Sequence, residues 1–210
     1  MILALGYNPL IQKLQDVTGY IVYPKFFDNK KALLIERNYK KYLRELWFNR
    51  NKIEVALYPD NINYVLPVPK NIAYVVPIHT LSQLEIADKL RENNYKVIAG
   101  YASDQKYRDY TIQDFIKASK YQNWYLGIST KHELKEALFY SFDYGDITLM
   151  LLGRFRQLRD VNYVRRKLKE IQQLVSKSHG KQSSILDFFV KPRYTNFLQN
   201  TSQLLILFAP

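Results

Sequence analysis

Short apolar runs alternate with amphipathic segments along the middle of the chain. Between Ile53 and Met150 the apolar runs are IEVALYPD, NIAYVVPIH, KVIAGYA, NWYLGIS and DITLML. Near-continuous apolar runs of this length are typical of strands in a parallel sheet that helices cover on both faces. The segments after the middle three runs have helical period and charged outer faces, and they cover Leu81 to Asn94, Thr111 to Lys120 and Lys131 to Tyr140. The pattern predicts alternating strands and helices.

Further apolar runs flank this region. Ile2 to Gly6 and Tyr20 to Tyr23 are predicted strands, and LLILFA near the end of the chain could supply an eighth. We therefore predict an α/β fold with a mostly parallel sheet, a compact (β/α)₈-like barrel of the TIM type. An open doubly wound sheet is the alternative. The predicted barrel covers residues 1–176, and 177–210 form a separate C-terminal segment.

In parallel α/β folds the chemistry lies at the carboxyl ends of the strands. The residues that close or follow the predicted strands are Asp60, His79, Gly100, Ser103, Asp104, Ser129, Asp143 and Asp146. Two carboxylates over one end of a barrel can divide the work of nucleophile and general base, because burial and neighbouring charge push their pKa values apart. We expect Asp60 and Asp143 at the same end. The alternative is that both belong to ordinary surface turns.

Composition narrows the possible chemistry. The chain of 210 residues is 47% hydrophobic and 24% charged, which is typical of a globular protein. It contains no cysteine, which excludes disulfides, thiolate nucleophiles and cysteine zinc sites, and its three histidines argue against a multi-histidine metal site. We predict no metal and no cofactor. No long apolar segment and no signal peptide are recognisable, so we expect a cytoplasmic protein without a membrane partner.

The chain is strongly basic, with a formal net charge of +12. Much of this charge lies in two clusters, Lys30 to Arg50 and Arg154 to Lys191, which contain the predicted helices Lys31 to Phe48 and Val161 to Ser176. Clustered positive charge favours a polyanion, and we predict a nucleic acid as the partner. The alternative is a set of solvated lysines that only maintain solubility. The predicted contacts to the phosphate backbone are Lys40, Lys41, Arg44, Arg154, Arg165, Arg166 and Lys169.

Four segments resemble a known superfamily. PDNINY, IAGYAS, WYLGIS and FDYGDIT, the last followed by Gly-Arg, resemble the tRNA-guanine transglycosylases, and most closely their DNA-acting, DpdA-like branch from archaeal or viral sources. The resemblance covers about residues 50–155 and implies exchange of guanine in DNA for a 7-deazaguanine, without a cofactor. It implies that Asp143 is the nucleophile and Asp60 contacts the base. Asp146, Gly100, Tyr64 and Tyr101 would complete the substrate site.

The sequence departs from this superfamily in two respects. The glycines that follow the base-contacting Asp are missing in Asp60-Asn61-Ile62-Asn63-Tyr64, and the structural zinc site is absent, as it must be without cysteine. A chain that kept the fold but lost catalysis would be a DNA-binding or clamp-binding accessory protein, which is the alternative function.

Two other patterns carry separate hypotheses. KQSSILDFF matches the box with which proteins dock on the sliding clamp PCNA, and it places Gln182, Ile185, Phe188 and Phe189 as the anchors. The alternative is that its aromatic pair covers the end of the barrel.

Pro59-Asp60 and Glu133-Leu134-Lys135 match the PD…ExK pattern of metal-dependent nucleases. However, HELKEAL has helical period, and that site needs a strand.

Overall fold

The structure is a computed structural model that describes residues 1–14, 17–29, 32–33, 38–153 and 160–179, without the side chains of 107 and 177–179. The chain divides into two compact units, Met1–Val175 and Ser176–Pro210. Most of the second unit, including the predicted strand LLILFA, lies outside the described residues. The fold below is that of the first unit.

Eight parallel strands form one sheet in the order β2-β1-β8-β7-β6-β5-β4-β3. Their bounds are β1 (Ile2–Leu5), β2 (Tyr20–Val22), β3 (Phe26–Phe27), β4 (Val55–Leu57), β5 (Ala73–Ile78), β6 (Lys96–Ala102), β7 (Gln122–Leu126) and β8 (Tyr144–Asp146). Consecutive strands are neighbours, the last strand pairs with the first, and only β2 and β3 are not bonded to each other. The predicted TIM-like barrel is therefore confirmed in a nearly closed form. The strand order excludes the open doubly wound sheet, because that sheet reverses its order at a switch point.

The two edge strands, β2 and β3, are joined by only three residues, Tyr23 to Lys25. Parallel strands that lie side by side need a connection of a dozen or more residues, so β3 must continue ahead of β2. The Tyr23 amide donates to the Leu5 carbonyl at 2.9 Å, and the Lys25 carbonyl accepts from the Val55 amide at 2.9 Å. One kinked segment thus bonds to β1 with its first half and to β4 with its second half.

Helices surround the sheet: α1 (Pro9–Gln12), α2 (Tyr39–Asn49), α3 (Leu84–Glu92), α4 (Ile112–Ala118), α5 (Lys131–Phe139), α6 (Thr148–Leu152) and α7 (Val161–His179). Thr111 and Thr130 begin α4 and α5 with capping boxes, in which the threonine oxygen accepts a backbone amide of the first turn and an acidic side chain accepts the threonine amide in return. Residues 58–72, all of them described, connect β4 to β5 as a loop. Within the described part of the chain, no helix has the length and apolar character needed to cross a membrane.

The predicted strand DITLML is wrong. The strand is Tyr144–Asp146, and Thr148–Leu152 form α6, where the Leu151 amide donates to the Ile147 carbonyl at 2.9 Å. A short apolar run that is buried all round does not distinguish strand from helix, and Met150, Leu151 and Leu152 are all buried. The correction moves the carboxyl end of the strand back to Asp146.

Aromatic rings fill the inside of the barrel. Phe26 stacks on Trp124 with ring centroids 4.8 Å apart, and Trp124 stacks on Tyr144 at 5.3 Å. Because β3 and β7 are not neighbours in the sheet, the contact between Phe26 and Trp124 must cross the barrel interior. These three positions therefore define the inward face of their strands. Side chains alternate along a strand, so residues two positions further on also point inward.

Candidate functional site

Two aspartates occupy inward positions at the carboxyl end of the barrel. Asp28 lies two residues after Phe26, and Asp146 lies two residues after Tyr144, so both share the side of the strand that faces the interior. Their exposed fractions are only 4% and 1%. Buried carboxylates are rare unless hydrogen bonds compensate for their lost hydration. The pair is the strongest concentration of chemical function in the barrel.

Asp146 is held by donors from β7 and the turn that follows it. Its Oδ1 accepts the Gly127 amide at 2.7 Å and the Trp124 indole N–H at 3.3 Å. The Asp146 carbonyl accepts the Ile128 amide at 2.9 Å. Neutral donors directed at a carboxylate stabilise its ionised form. The arrangement fixes Asp146 as an oriented acceptor.

Asp28 lies against the end of β1. Its Oδ1 accepts the Tyr7 amide at 2.7 Å, and a Cβ added to Gly6 would come within 1.9 Å of Asp28 Oδ2. The Gly6 amide donates to Thr148 Oγ1 at 2.7 Å, and Ala4 of β1 pairs in register with Asp146. The end of β1 therefore lies beside both aspartates, and any side chain at position 6 would force the Asp28 carboxylate to shift.

Two tyrosines lie beside Asp28. The Tyr7 ring, 53% exposed, meets the Tyr23 ring edge-on at 5.0 Å, and Tyr23 stacks on Phe27 at 5.8 Å. Burial, followed by the nearby Glu45, Tyr7 and Asp28 groups, raises the pKa of Tyr23 above its ordinary value. Tyr23 thus stays a neutral phenol, and Tyr7 offers an aromatic surface to solvent.

Asp60 and His79 form a second polar group on the rim. His79 Nε2 and Asp60 Oδ1 are 3.2 Å apart, and about a quarter of each side chain is exposed. Asp60 follows β4 and His79 follows β5 at the carboxyl-terminal end, as the sequence predicts, and the contact between their side chains connects the ends of these two strands. A cavity of about 310 Å³ opens near them between the loop after β4 and the start of α3, lined in part by Tyr58, Asn61 and Glu85. Neither Asp28 nor Asp146 lines this cavity.

The prediction that Asp143 shares an end with Asp60 is wrong. Asp143 precedes β8, and its carboxylate accepts the Asn123 amide at 2.8 Å near the start of β7. The Asp143 carbonyl accepts the Ile2 amide at 2.7 Å. Asp143 therefore lies exposed at the amino-terminal end, while Asp60 lies at the carboxyl-terminal end. The error follows from the misplaced strand, which put Asp143 and Asp146 together in one loop.

Two further predicted substrate residues belong to the packed barrel. Gly100 lies within β6, where an added Cβ would meet Leu126 Cδ1 at 2.8 Å and Val75 Cγ1 at 3.0 Å, so its role there is close packing. Tyr101 is 1% exposed, contacts Phe115 and Phe142 outside the strands, and its pKa is raised to about 12 by burial. Neither matches the predicted base contact.

The remaining predicted residues are placed as follows. Tyr64 is 57% exposed on the loop after β4, and Ser103, Asp104 and Ser129 follow their strands at the carboxyl-terminal end. Six of the predicted phosphate contacts are exposed on helices: Lys40, Lys41 and Arg44 of α2, and Arg165, Arg166 and Lys169 of α7. Arg154 and the clamp-box residues Gln182, Ile185, Phe188 and Phe189 lie outside the described residues, so these remain predictions.

The position of Glu133 argues against the PD…ExK nuclease pattern. Its Oε2 accepts from the amide and hydroxyl of Ser129 and of Thr130, with four contacts between 2.7 and 3.1 Å, as the cap of α5. That environment is helical, whereas the PD…ExK site needs a strand. Among the described residues, no three histidine or acidic side chains are placed to hold a metal ion.

The sequence reasoning missed Asp28. The signal was present in KFFDN, where two phenylalanines precede the aspartate. A strand of only two residues is too short for a pattern of hydrophobic periodicity to detect. The pairing of Phe26 and Phe27 with β4 and the contact of Phe26 with Trp124 show that this segment belongs to the barrel.

Comparisons with known proteins identify one similar chain. It is the uncharacterized protein ORF192 of Acidianus two-tailed virus, 42% identical over 190 residues, which cover 88% of this chain and 98% of the viral protein. No protein-family model matches the sequence. No solved structure is similar to it at a significant level.

Proposed function

The chain belongs to the family of ORF192 of Acidianus two-tailed virus, and we propose that it exchanges a base in DNA at the carboxyl-terminal end of its barrel. The observation that carries the proposal is the pair of inward, buried aspartates at that end, Asp28 and Asp146. The resemblance to base transglycosylases supplies the substrate class, guanine in DNA replaced by a 7-deazaguanine.

In this proposal Asp146 takes the role that the resemblance gives to Asp143. An ionised Asp146 oxygen would form a bond to the sugar C1′ while the bond from C1′ to guanine breaks, and the incoming base would later displace the carboxylate. The Gly127 amide and the Trp124 indole hold the carboxylate in a fixed orientation before attack. Asp143, at the opposite end of the strand, has no part in the reaction.

Asp28, which lies outside the segments that carry the resemblance, takes the role that the resemblance gives to Asp60. It closes a barrel strand, as the base-contacting aspartate of the superfamily does, and it would accept hydrogen bonds from the guanine edge and manage its proton. Tyr7, half exposed beside it, would stack on a base flipped out of its helix.

The test is to trap a covalent adduct between the full chain and guanine-containing DNA. We expect an adduct in the wild type and in Asp143→Asn, and none in Asp146→Asn, because loss of a nucleophile costs on the order of 10⁴-fold or more in rate. Asp143→Asn is the matched control, since it changes the same residue type in the same strand. An adduct that survives Asp146→Asn would remove Asp146 from the mechanism.

A second function is favoured by the burial of the same residues. Because Asp28 and Asp146 are almost fully covered and aromatic rings fill the barrel below them, the fold also suits a DNA-binding accessory protein without catalysis. In that case DNA binding is retained, no adduct forms under any condition, and Asp146→Asn changes only stability.

A further inference from the structure

One face of α2 carries three cations followed by two aromatic rings. Lys40, Lys41, Arg44, Trp47 and Phe48 are all exposed, and spacings of three, four and seven residues place them along the outer side of the helix. We call this face the α2 platform. It runs from the carboxyl-terminal end of the barrel, where α2 begins, to the amino-terminal end, where β4 follows.

The two aromatic residues are exposed, and Trp47 is also fixed in place. Phe48 is 86% exposed and Trp47 is 44% exposed. The Trp47 indole donates to the Pro67 carbonyl at 2.9 Å, and the Arg50 guanidinium lies 5.9 Å from its ring centroid and donates to the Trp47 carbonyl at 2.9 Å. A rigid, exposed ring loses little conformational entropy when a flat ligand stacks on it.

The charge of the platform has one sign. The acidic residue of α2, Glu45, is half-buried, and its carboxylate accepts from the Asn29 side chain at 2.5 Å. Like charges oppose the pairing of this face with a second copy of itself. Cations beside exposed aromatic rings are the combination with which proteins bind single-stranded nucleic acids, because phosphates contact the cations and unpaired bases stack on the rings.

We infer that the α2 platform binds single-stranded DNA, with phosphates on Lys40, Lys41 and Arg44 and bases stacked on Trp47 and Phe48. Duplex DNA is a poorer ligand, because its bases are already stacked and paired inside the helix. This site lies on the outside of the barrel and does not depend on the proposed base exchange. It would serve the catalytic and the accessory function equally.

The two tryptophans of the chain make a direct test possible. Trp124 is fully buried, so quenching of tryptophan fluorescence by an added oligonucleotide reports on Trp47. We expect oligothymidine to quench the emission of the full-length protein at low salt, and duplex DNA of equal length to quench it much less. Raising the salt concentration should weaken binding, because bound phosphates release counterions.

Three variants sharpen the test. Phe48→Ala should weaken binding of oligothymidine on the order of tenfold, because one base–aromatic stack is worth about 1–3 kcal/mol. Arg44→Ala should weaken binding and reduce the salt slope by about 0.7, the value for one phosphate contact on a single strand. Phe139→Ala is the matched control, since Phe139 is 62% exposed at the end of another helix, and it should bind like the wild type.

Several results would overturn the inference. Equal quenching by single-stranded and duplex DNA would contradict the stacking of unpaired bases on this face. Binding of oligothymidine by Phe48→Ala with the affinity of the wild type would contradict it as well. Equal losses in Phe48→Ala and Phe139→Ala would point to a general effect of exposed aromatic residues. Self-association of the protein that Phe48→Ala abolishes, with no binding of oligothymidine, would assign the face to a second copy of the chain.

The inference and the proposed reaction can also be tested separately. Loss of the covalent adduct in Asp146→Asn, with oligothymidine binding unchanged, would show that the α2 platform binds DNA independently of the proposed reaction.

Discussion

Asp143 and Asp146 stand three positions apart in the chain, yet they lie at opposite ends of a barrel strand. At about 3.3 Å per residue, roughly 10 Å of strand separates them. Asp143, at the amino-terminal end, is exposed and bonded to the Asn123 amide. Asp146, at the carboxyl-terminal end, is 1% exposed and bonded to an amide and an indole from inside the barrel. An aspartate therefore lies exposed in a surface turn at one end of the strand, and a second aspartate is a buried hydrogen-bond acceptor at the other end.

The wider contrast between the two ends has the same character. The carboxyl-terminal end concentrates buried carboxylates that backbone amides hold in place, which suits chemistry on a bound group. The amino-terminal end carries exposed rings and cations, such as Phe48, Arg50 and Phe139, and these suit contacts with a partner. The three predictions that follow test this contrast.

The largest effect is expected for Gly6→Ala, at the carboxyl-terminal end of β1. The new Cβ would collide with the Asp28 carboxylate at 1.9 Å, so Asp28 must move and lose the Tyr7 amide. We expect the free energy of unfolding, measured by urea denaturation, to fall by about 3 kcal/mol.

The control at the other end is Gly19→Ala, just before β2. Gly19 has a φ of +84° and no heavy atom within 4 Å of its Cβ position, so only backbone strain of about 1 kcal/mol is expected. In an Asp28→Ala background, Gly6→Ala should cost much less than in the wild type. An unchanged cost in that background would show that Asp28 is not the obstacle.

A smaller difference is expected between Asp146→Ala and Asp143→Ala. The first change leaves the Gly127 amide and the Trp124 indole without an acceptor inside the barrel, and we expect a loss of about 2 kcal/mol in the free energy of unfolding. The second exposes the Asn123 amide to water and should cost less than about 1 kcal/mol. Equal losses in thermal or urea unfolding would contradict the contrast between the two ends.

The smallest effect concerns acid stability at the amino-terminal end. A hydrogen bond from Tyr121, supported by Lys120, lowers the pKa of Asp88 below its ordinary value. Because the folded-state pKa is the lower one, this pair stabilises the fold above about pH 4 and loses its effect as pH falls through the folded-state pKa. Tyr121→Phe should therefore cost less than about 1 kcal/mol near neutral pH, since Asp88 is 38% exposed, and progressively less in acid.

Tyr140→Phe is the control for this pH dependence. The Tyr140 hydroxyl accepts from the Gln113 amide at 2.5 Å, and neither group titrates in the acid range. Its cost in the free energy of unfolding should be the same at every pH between about 3 and 7. A Tyr121→Phe curve parallel to this one would show that Asp88 gains nothing from the tyrosine.

The sequence was sufficient for the architecture. Apolar runs separated by capped amphipathic segments predict parallel strands and helices in order, because each strand must be apolar on both faces and each helix on one. It also placed Asp60 and His79 after the carboxyl ends of strands, since an end is visible where an apolar run stops. Those signals are local, and they need no knowledge of what lies across the barrel.

Only the tertiary structure showed which residues at the strand ends point into the barrel and form the candidate site. The two residues of β3 gain strand geometry from bonding to β4, and Asp28 becomes part of the site because Phe26 meets Trp124 across the interior. The secondary structure of the apolar run near Met150 was decided in the same way. It forms a helix because of the packing around it, and its hydrophobic period alone does not distinguish a helix from a strand. Inward and outward faces depend on contacts between strands that are distant in the chain. The sequence therefore determined the barrel and a list of candidate residues, and the packing of Phe26, Trp124 and Tyr144 selected Asp146 from that list and added Asp28 to the candidate site.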